Sequence, residues 1–358
     1  MFKIQLLFLV CLTAVASADD VVVLDNGVMR MEINRMGGAV SSCVLAGSEL
    51  NPFSWRAKRW NKNDRSVKEG LFTCFDRLGQ PSPEDKARGI PFHGEAASVE
   101  WKVLGRETSV AGHLLLRMQC ILPIAGMTLA REYCLFKDSS VCRVRDRIRN
   151  DNPFPKTYNL LIHPSHAQPF LSRSVLVDCN GATGFVNSKE PSEIPGDPIC
   201  WPEIEYQSQR LNLRTMTNGV PLVVNYLCAK DVTEGWGCLS NPDLGLMTGF
   251  IWPVSDYPWT RIWQEWKDGA PSALGIEFST TPLGFPLEEI ERIGPLLGHP
   301  TIETLSPGGE VTKTFHFFLL EIPREFSGVG VVRIADGSLI VEEHSGADNR
   351  CWVVPFAE

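Results

Sequence analysis

The sequence predicts an all-β protein, a large sandwich of mostly antiparallel strands with few short helices. Three observations carry this. Short apolar or alternating runs recur along the chain, the pattern of buried and half-buried strands. Gly, Pro, Asn and Asp separate them in turn-forming pairs. Only PLEEIERIGPLL at 286–297 reads as a short helix, with Pro286 suited to its first turn. At 358 residues, 44% hydrophobic and 21% charged, the composition is that of a folded globular chain and argues against disorder. Sandwiches and barrels can reach this size as one unit, so residues 19–358 are read as a single domain.

Taken in order, residues 1–18 read as a secretory leader. Met1-Phe2-Lys3 is a positive start, 4–15 is almost wholly apolar, and Ala16-Ser17-Ala18 is a small-x-small cleavage site. The apolar run is too short to span a bilayer comfortably, and no other stretch approaches that length. The mature chain is therefore expected to be soluble and exported, secreted or periplasmic, without a membrane partner. Next, VVVL, Asn26-Gly27 and VMRMEI form a hairpin signal. Further strands are expected at 99–104, 113–120, 142–149, 221–228, 246–252, 272–278 and 311–322. Turn chemistry stands at Gly37-Gly38, Asn180-Gly181, Asn218-Gly219, Pro307-Gly308-Gly309 and Asp336-Gly337. The Pro-, Ser- and Glu-rich stretch 184–202 reads as a long surface loop.

Charge and cysteine usage narrow the function. Lys and Arg total 34 against 42 Asp and Glu, a net charge of −8. Such a chain is a poor candidate for nucleic-acid binding. Ten cysteines follow the leader, which permits disulfides in an exported protein without requiring them, and none is spaced C-x-x-C. Dinucleotide, Walker, H-E-x-x-H and G-x-S-x-G signatures are missing. His163 and His166 are three apart, yet no ligand cluster follows them. No metal and no cofactor are expected.

Three clusters carry chemistry. The first is Arg88-Gly89-Ile90-Pro91-Phe92-His93-Gly94-Glu95, a His-Gly step before a strand containing Trp101. The second is Tyr158 to His166, a strand-like run ending on His163-Pro164. The third joins Ile251-Trp252-Pro253, Trp259 to Trp266 and Gly275-Ile276-Glu277-Phe278. A carboxylate inside an apolar run is unusual, because burying it unpaired is costly. Its bland reading is a buried ion pair with an arginine such as Arg261. The four tryptophans 252, 259, 263 and 266 are either core or flat surfaces for a sugar.

In their order, these clusters resemble the galactose mutarotase-like, or aldose 1-epimerase, family. The closing pattern Pro307-Gly308-Gly309-Glu310 followed by Phe-x-Phe strengthens the resemblance, which covers roughly 20–322. It implies a β-supersandwich with a sugar cleft and an isomerase that interconverts anomers by transient ring opening. It assigns Glu277 as the base on the anomeric hydroxyl and His163 as the acid on the ring oxygen. His93 would bind a sugar hydroxyl. Arg261, Trp263, Trp252 and His166 are the further candidates for contact with the sugar or oligosaccharide. A carboxylate raised by burial and an imidazole suit such bifunctional work.

Two other functions stand beside the epimerase: a carbohydrate-binding protein without turnover, and a glycoside hydrolase or lyase. The hydrolase needs a second carboxylate, from Glu95, Glu265 or Asp256. Finally, Arg143, Arg145, Arg147 and Arg149 alternate along one strand face. That row is either solvated and paired with acids, or lines a cleft for an anionic sugar.

Overall fold

The Asn-Gly hairpin forms where its residues place it. In the computed structural model, β1 (Val21–Asp25) and β2 (Met29–Asn34) pair antiparallel, with Gly27 at φ 83° in the turn. The structure describes residues 20–57, 66–344 and 350–356; the leader read at 1–18 lies outside them.

The chain continues through β3 (Val40–Leu45), β4 (Leu71–Asp76) and α1 (Pro83–Ala87). A meander follows: β5 (Lys102–Thr108), β6 (Leu114–Leu122), β7 (Met127–Leu135) and β8 (Val141–Asn150). Then come β9 (Lys156–Pro164), β10 (Leu176–Cys179), β11 (Gly181–Val186), β12 (Ile199–Cys200), β13 (Glu203–Tyr206) and β14 (Gln209–Asn212). Longer strands return with β15 (Leu222–Cys228), β16 (Glu234–Asn241), β17 (Leu246–Pro253), β18 (Trp259–Lys267) and β19 (Ala270–Ser279). After α2 (Leu287–Ile293) come β20 (Glu303–Leu305) and β21 (Glu310–Glu321). The last three are β22 (Val329–Ala335), β23 (Ser338–Glu343) and β24 (Cys351–Pro355).

Two large antiparallel sheets result. One has eleven strands in the order β1-β2-β3-β4-β9-β19-β18-β15-β11-β12, with β20 also on β9. The other has eight, in the order β10-β16-β17-β21-β8-β7-β6-β5. Strand alternation builds the core between them. On β21, Phe315, Phe317 and Leu319 join the main core with Leu129, Val144, Ile162 and Ile276. The alternate residues Phe318 and Leu320 face outward, under a second apolar cluster formed with Val332, Leu339 and Val341 of the C-terminal sheet β22-β23-β24. That small sheet therefore covers part of the outer face of the eight-stranded sheet.

Several expectations shift. The strand expected at 99–104 begins instead at Lys102. Trp101 turns wholly into the core, donating from Nε1 to the Ala96 carbonyl at 3.0 Å. Besides the expected helix, α1 forms, because Ser82 caps it by accepting from the Asp85 N–H and Pro83 opens it. The stretch 184–202 is not all loop: it completes β11 and contains a 3-10 turn and β12. Asn180-Gly181 is a crossing between sheets rather than a hairpin turn, since β10 and β11 belong to different sheets. None of the described cysteines forms a disulfide; seven are buried as small apolar side chains.

Candidate active site

The outer face of the eleven-stranded sheet gathers the residues that matter. Ile162, Ile276 and Ile262 point into the core, so their neighbours His163, Glu277 and Arg261 point out. Register brings them together: Arg261 lies opposite Glu277, and Phe278 opposite Ile162. On the other side of β9, Phe72 lies opposite His163.

The centre is a three-member array. Glu277 Oε1 is 3.2 Å from His163 Nε2, and Glu277 Oε2 is 3.1 Å from Arg261 Nε. Gly275, two residues before Glu277, makes room for it. A Cβ there would lie 2.8 Å from the Pro164 carbonyl oxygen and 3.2 Å from Glu277 Oε1. Burial pushes the Glu277 carboxyl up to about 7, with Arg261 pulling it back. Burial takes the His163 imidazole down to about 3, and Arg261 pushes the same way. Arg261 is held in turn by donating to the Pro282 carbonyl at 2.9 Å. Ser165 Oγ sits 2.8 Å from His163 Nδ1 and orients the ring.

His93 completes the site from a strained loop. Its φ is +70°, unusual for a residue with a Cβ. Gly94 follows at φ +79°, where a Cβ would sit 2.0 Å from the Phe75 carbonyl oxygen. Only glycine fits that approach. The His93 Nδ1 accepts from the Gly79 N–H at 3.0 Å, which leaves the proton on Nε2 as a donor. Burial first, and then His163, Lys68 and Arg261, lower its pKa well below the usual range. The His93 and His163 ring centres are 6.0 Å apart.

Aromatic rings form the wall. Phe72 stacks on His163 at 4.3 Å, Trp263 meets it edge-on at 5.4 Å, and Trp55 lies nearly parallel at 6.3 Å. Trp55 and Trp263 are half-buried, and Phe92 at the rim is 39% exposed.

The structure thus brings together Glu277, His163, His93, Arg261 and Trp263. It corrects two candidates. Trp252 belongs to the eight-stranded sheet and faces the core, stacked on Phe278 at 4.4 Å with 1% exposure. On β17 it shares parity with buried Phe250, so it cannot touch a ligand on the outer face. His166 is fully buried between Phe53 and Phe170, its Nδ1 3.1 Å from the Leu274 carbonyl oxygen. The chain bends after Pro164, so its ring joins the core instead of following His163. The bland reading of Glu277 holds in part, since Arg261 is its partner, but His163 takes the other oxygen. Trp55, Phe72 and Ser165 were missed. Phe72 lies in LFTCFD, whose apolar character signals a strand. Trp55 lies in an irregular segment with no period to read.

The carboxylates that a hydrolase would need are engaged elsewhere. Glu95 accepts from the Ile124 and Ala125 N–H groups, Asp256 from the Thr314 N–H, and Glu265 from the Trp263 ring. Among the described residues, no group of three or more potential ligands could hold a metal.

No protein-family model matches the sequence, and neither does any curated protein. Solved structures do match. A galactose mutarotase-like protein from Clostridium acetobutylicum is 12% identical, with a TM-score of 0.64 over 84% of this chain and 95% of its own. A Klebsiella pneumoniae protein provisionally named an aldose 1-epimerase is 14% identical, with a TM-score of 0.59 over 83% and 78%. A TPR-domain containing protein from Parabacteroides distasonis is 13% identical, with a TM-score of 0.58 over 94% of this chain and 52% of its own. At these identities the likeness is one of fold, and the fold is galactose mutarotase-like.

Proposed function

We propose that this chain, with its galactose mutarotase-like fold, is an exported aldose 1-epimerase acting on a free or terminal sugar. One observation carries the reading: Glu277 and His163 converge on the outer sheet face, both buried, at 3.2 Å, closer than the separation of about 5–7 Å expected of a pair with a sugar ring between them, so the sugar must part them. With the carboxyl at about 7 and the imidazole at about 3, the pair holds one proton between those values. The hydrophobic leader at 1–18 supports export.

The chemistry follows from that shared proton. The anomeric hydroxyl and the ring oxygen are bonded to the same carbon, so an adjacent base and acid serve both. A sugar enters by replacing the Glu277–His163 contact with its own two oxygens. The proton rests on Glu277, the group of higher affinity, and crosses the 3.2 Å contact to His163 as the sugar arrives; Glu277 then takes the hydroxyl proton while His163 protonates the ring oxygen. The bond from the anomeric carbon to the ring oxygen breaks, and a carbonyl forms. Rotation about the adjacent carbon–carbon bond presents the other carbonyl face. Closure runs the same two transfers backwards, so no proton is gained or lost. His93 donates its Nε2 proton to a sugar hydroxyl, and Trp55 and Trp263 offer apolar surface to the ring.

The test is anomer exchange, followed by NMR on freshly dissolved α-glucose and α-galactose. Acceleration by the wild type that is lost in Glu277→Gln supports the epimerase. Binding shifts without acceleration would replace it with a non-catalytic sugar-binding protein.

A further inference from the structure

The arginine row of β8 is not absorbed by that site, which lies on the other sheet. Arg143, Arg145, Arg147 and Arg149 face away from the core, while Cys142, Val144 and Ile148 face in. Neighbouring strands extend the row sideways. Arg145 lies opposite Glu132 and Thr314, Arg147 opposite Ala130 and Thr312, Arg117 opposite Glu132, and Lys102 opposite Gln119. The outer face of this sheet is therefore divided in two. Its apolar half lies under the C-terminal sheet, and its cationic half is uncovered.

In the uncovered half lies a hollow of about 320 Å³, lined by Leu104, Arg117, Gln119, Glu132, Arg145 and Arg147 among others. Ala130 explains it: a single methyl group between long neighbours leaves a floor. Acids hold the two ends of the row, Arg149 by Asp151 at 2.5 Å and Arg143 by Glu132 at 3.9 Å, and leave its middle with a surplus of positive charge. Arg117 takes Glu107 at 2.9 Å and Glu132 at 2.8 Å. Arg147, 61% exposed, reaches Glu310 only at 3.9 Å. Arg145 is exposed and has no ion pair among the described residues. In a chain of net charge −8, this cationic face is a local exception.

We propose that this hollow and its arginine row bind an acidic polysaccharide, a chain of sugars bearing carboxylates. Guanidinium forks match carboxylates two bonds at a time. Alternate residues of a strand repeat at about 7 Å and adjacent strands at about 5 Å, so the row offers successive forks to an extended polymer. No aromatic side chain lines the hollow, which leaves nucleic-acid bases without a stacking surface. Hydroxyls of Thr312 and Thr314 and the amide of Gln119 border the arginines and suit sugar hydroxyls.

The test is calorimetric titration with an oligogalacturonate, beside neutral dextran and a single-stranded DNA of equal charge. The oligogalacturonate binds, dextran does not, and affinity falls steeply with salt. The double variant Arg145→Gln/Arg147→Gln weakens binding by about tenfold or more, while Glu132→Gln, which removes a competing acid, strengthens it. Glu277→Gln leaves it unchanged, which separates this face from the sugar site. Melting curves of each variant check that it keeps the thermal transition of the wild type. No binding by the wild type, or equal binding by the double variant, overturns the proposal. DNA binding as tightly as the oligogalacturonate also overturns it, in favour of a general polyanion surface.

Discussion

Each large sheet carries a buried carboxylate beside an arginine, and the two pairs behave differently. On the eight-stranded sheet Asp146 faces the core and meets Arg131 through two bonds of 2.7 Å, from Nε and from the second guanidinium nitrogen. The pair is 0% and 1% exposed at its side chains. Burial opposes the charge on Arg131, but Asp146 and Tyr133 more than offset it, so the guanidinium stays charged. On the eleven-stranded sheet Glu277 meets Arg261 at one point, 3.1 Å away, without the alignment of a hydrogen bond. Its other oxygen faces His163. The fork-on-fork pair braces the sandwich. The half-satisfied pair leaves a carboxyl near neutrality, able to exchange a proton. Geometry, more than burial, decides which pair is structural.

The largest expected effect comes from breaking the brace. Asp146→Asn leaves Arg131 buried without a counter-charge and lowers unfolding free energy by about 3–5 kcal/mol, read by denaturant melts. The anomer exchange proposed for the Glu277 face is unaltered in any surviving folded protein. Conversely, Glu277→Gln removes the proposed base and slows anomer exchange by about a hundredfold or more.

The same substitution sharpens the contrast in stability. Glu277 has its pKa raised from 4.5 to about 7 on folding. Its stabilising contribution is fully present below the unfolded value. It is lost as pH rises through about 7, because the folded state then holds the proton the unfolded state has already released. Glu277→Gln has no such proton, so the variant gains on the wild type by about 1–3 kcal/mol between about pH 5 and about pH 8. A gap that does not widen over that range would mean Glu277 is an ordinary ionised partner of Arg261.

Arg261→Gln tests the single-point contact. Arg261 lowers the Glu277 pKa, so its loss moves that pKa further up, as read by carbon NMR of the labelled carboxyl; no upward movement would mean the contact carries no charge coupling. The smallest effect is expected at the wall. Trp263→Ala weakens sugar affinity by about 1 kcal/mol, with little change in stability.

Much of this architecture is readable before any coordinates. The alternation in 311–322 marks β21, and Asn26-Gly27 marks the first hairpin. The isolated carboxylate in an apolar run marks Glu277, and the strand ending on His-Pro marks His163. Reading fails where local pattern is silent about partners. Trp252 and Trp263 lie in equally aromatic strands, yet one faces the core from the opposite sheet and the other lines the site. His163 and His166 are equally plausible by spacing, and a bend after β9 sends the second into the core.

What the residues settle alone is local: where strands begin and end, which side chains share a face, and where the backbone must turn. Steric preferences and a two-residue period act within a few residues, so they are present in the sequence itself. What only the tertiary structure decides is which faces meet. Strand β9 lies between β4 and β19, each about a hundred residues away along the chain, and that pairing sets His163 against Glu277. Burial and the charges brought by such distant strands then set the proton affinities, which belong to the assembled sheet and to no segment of it.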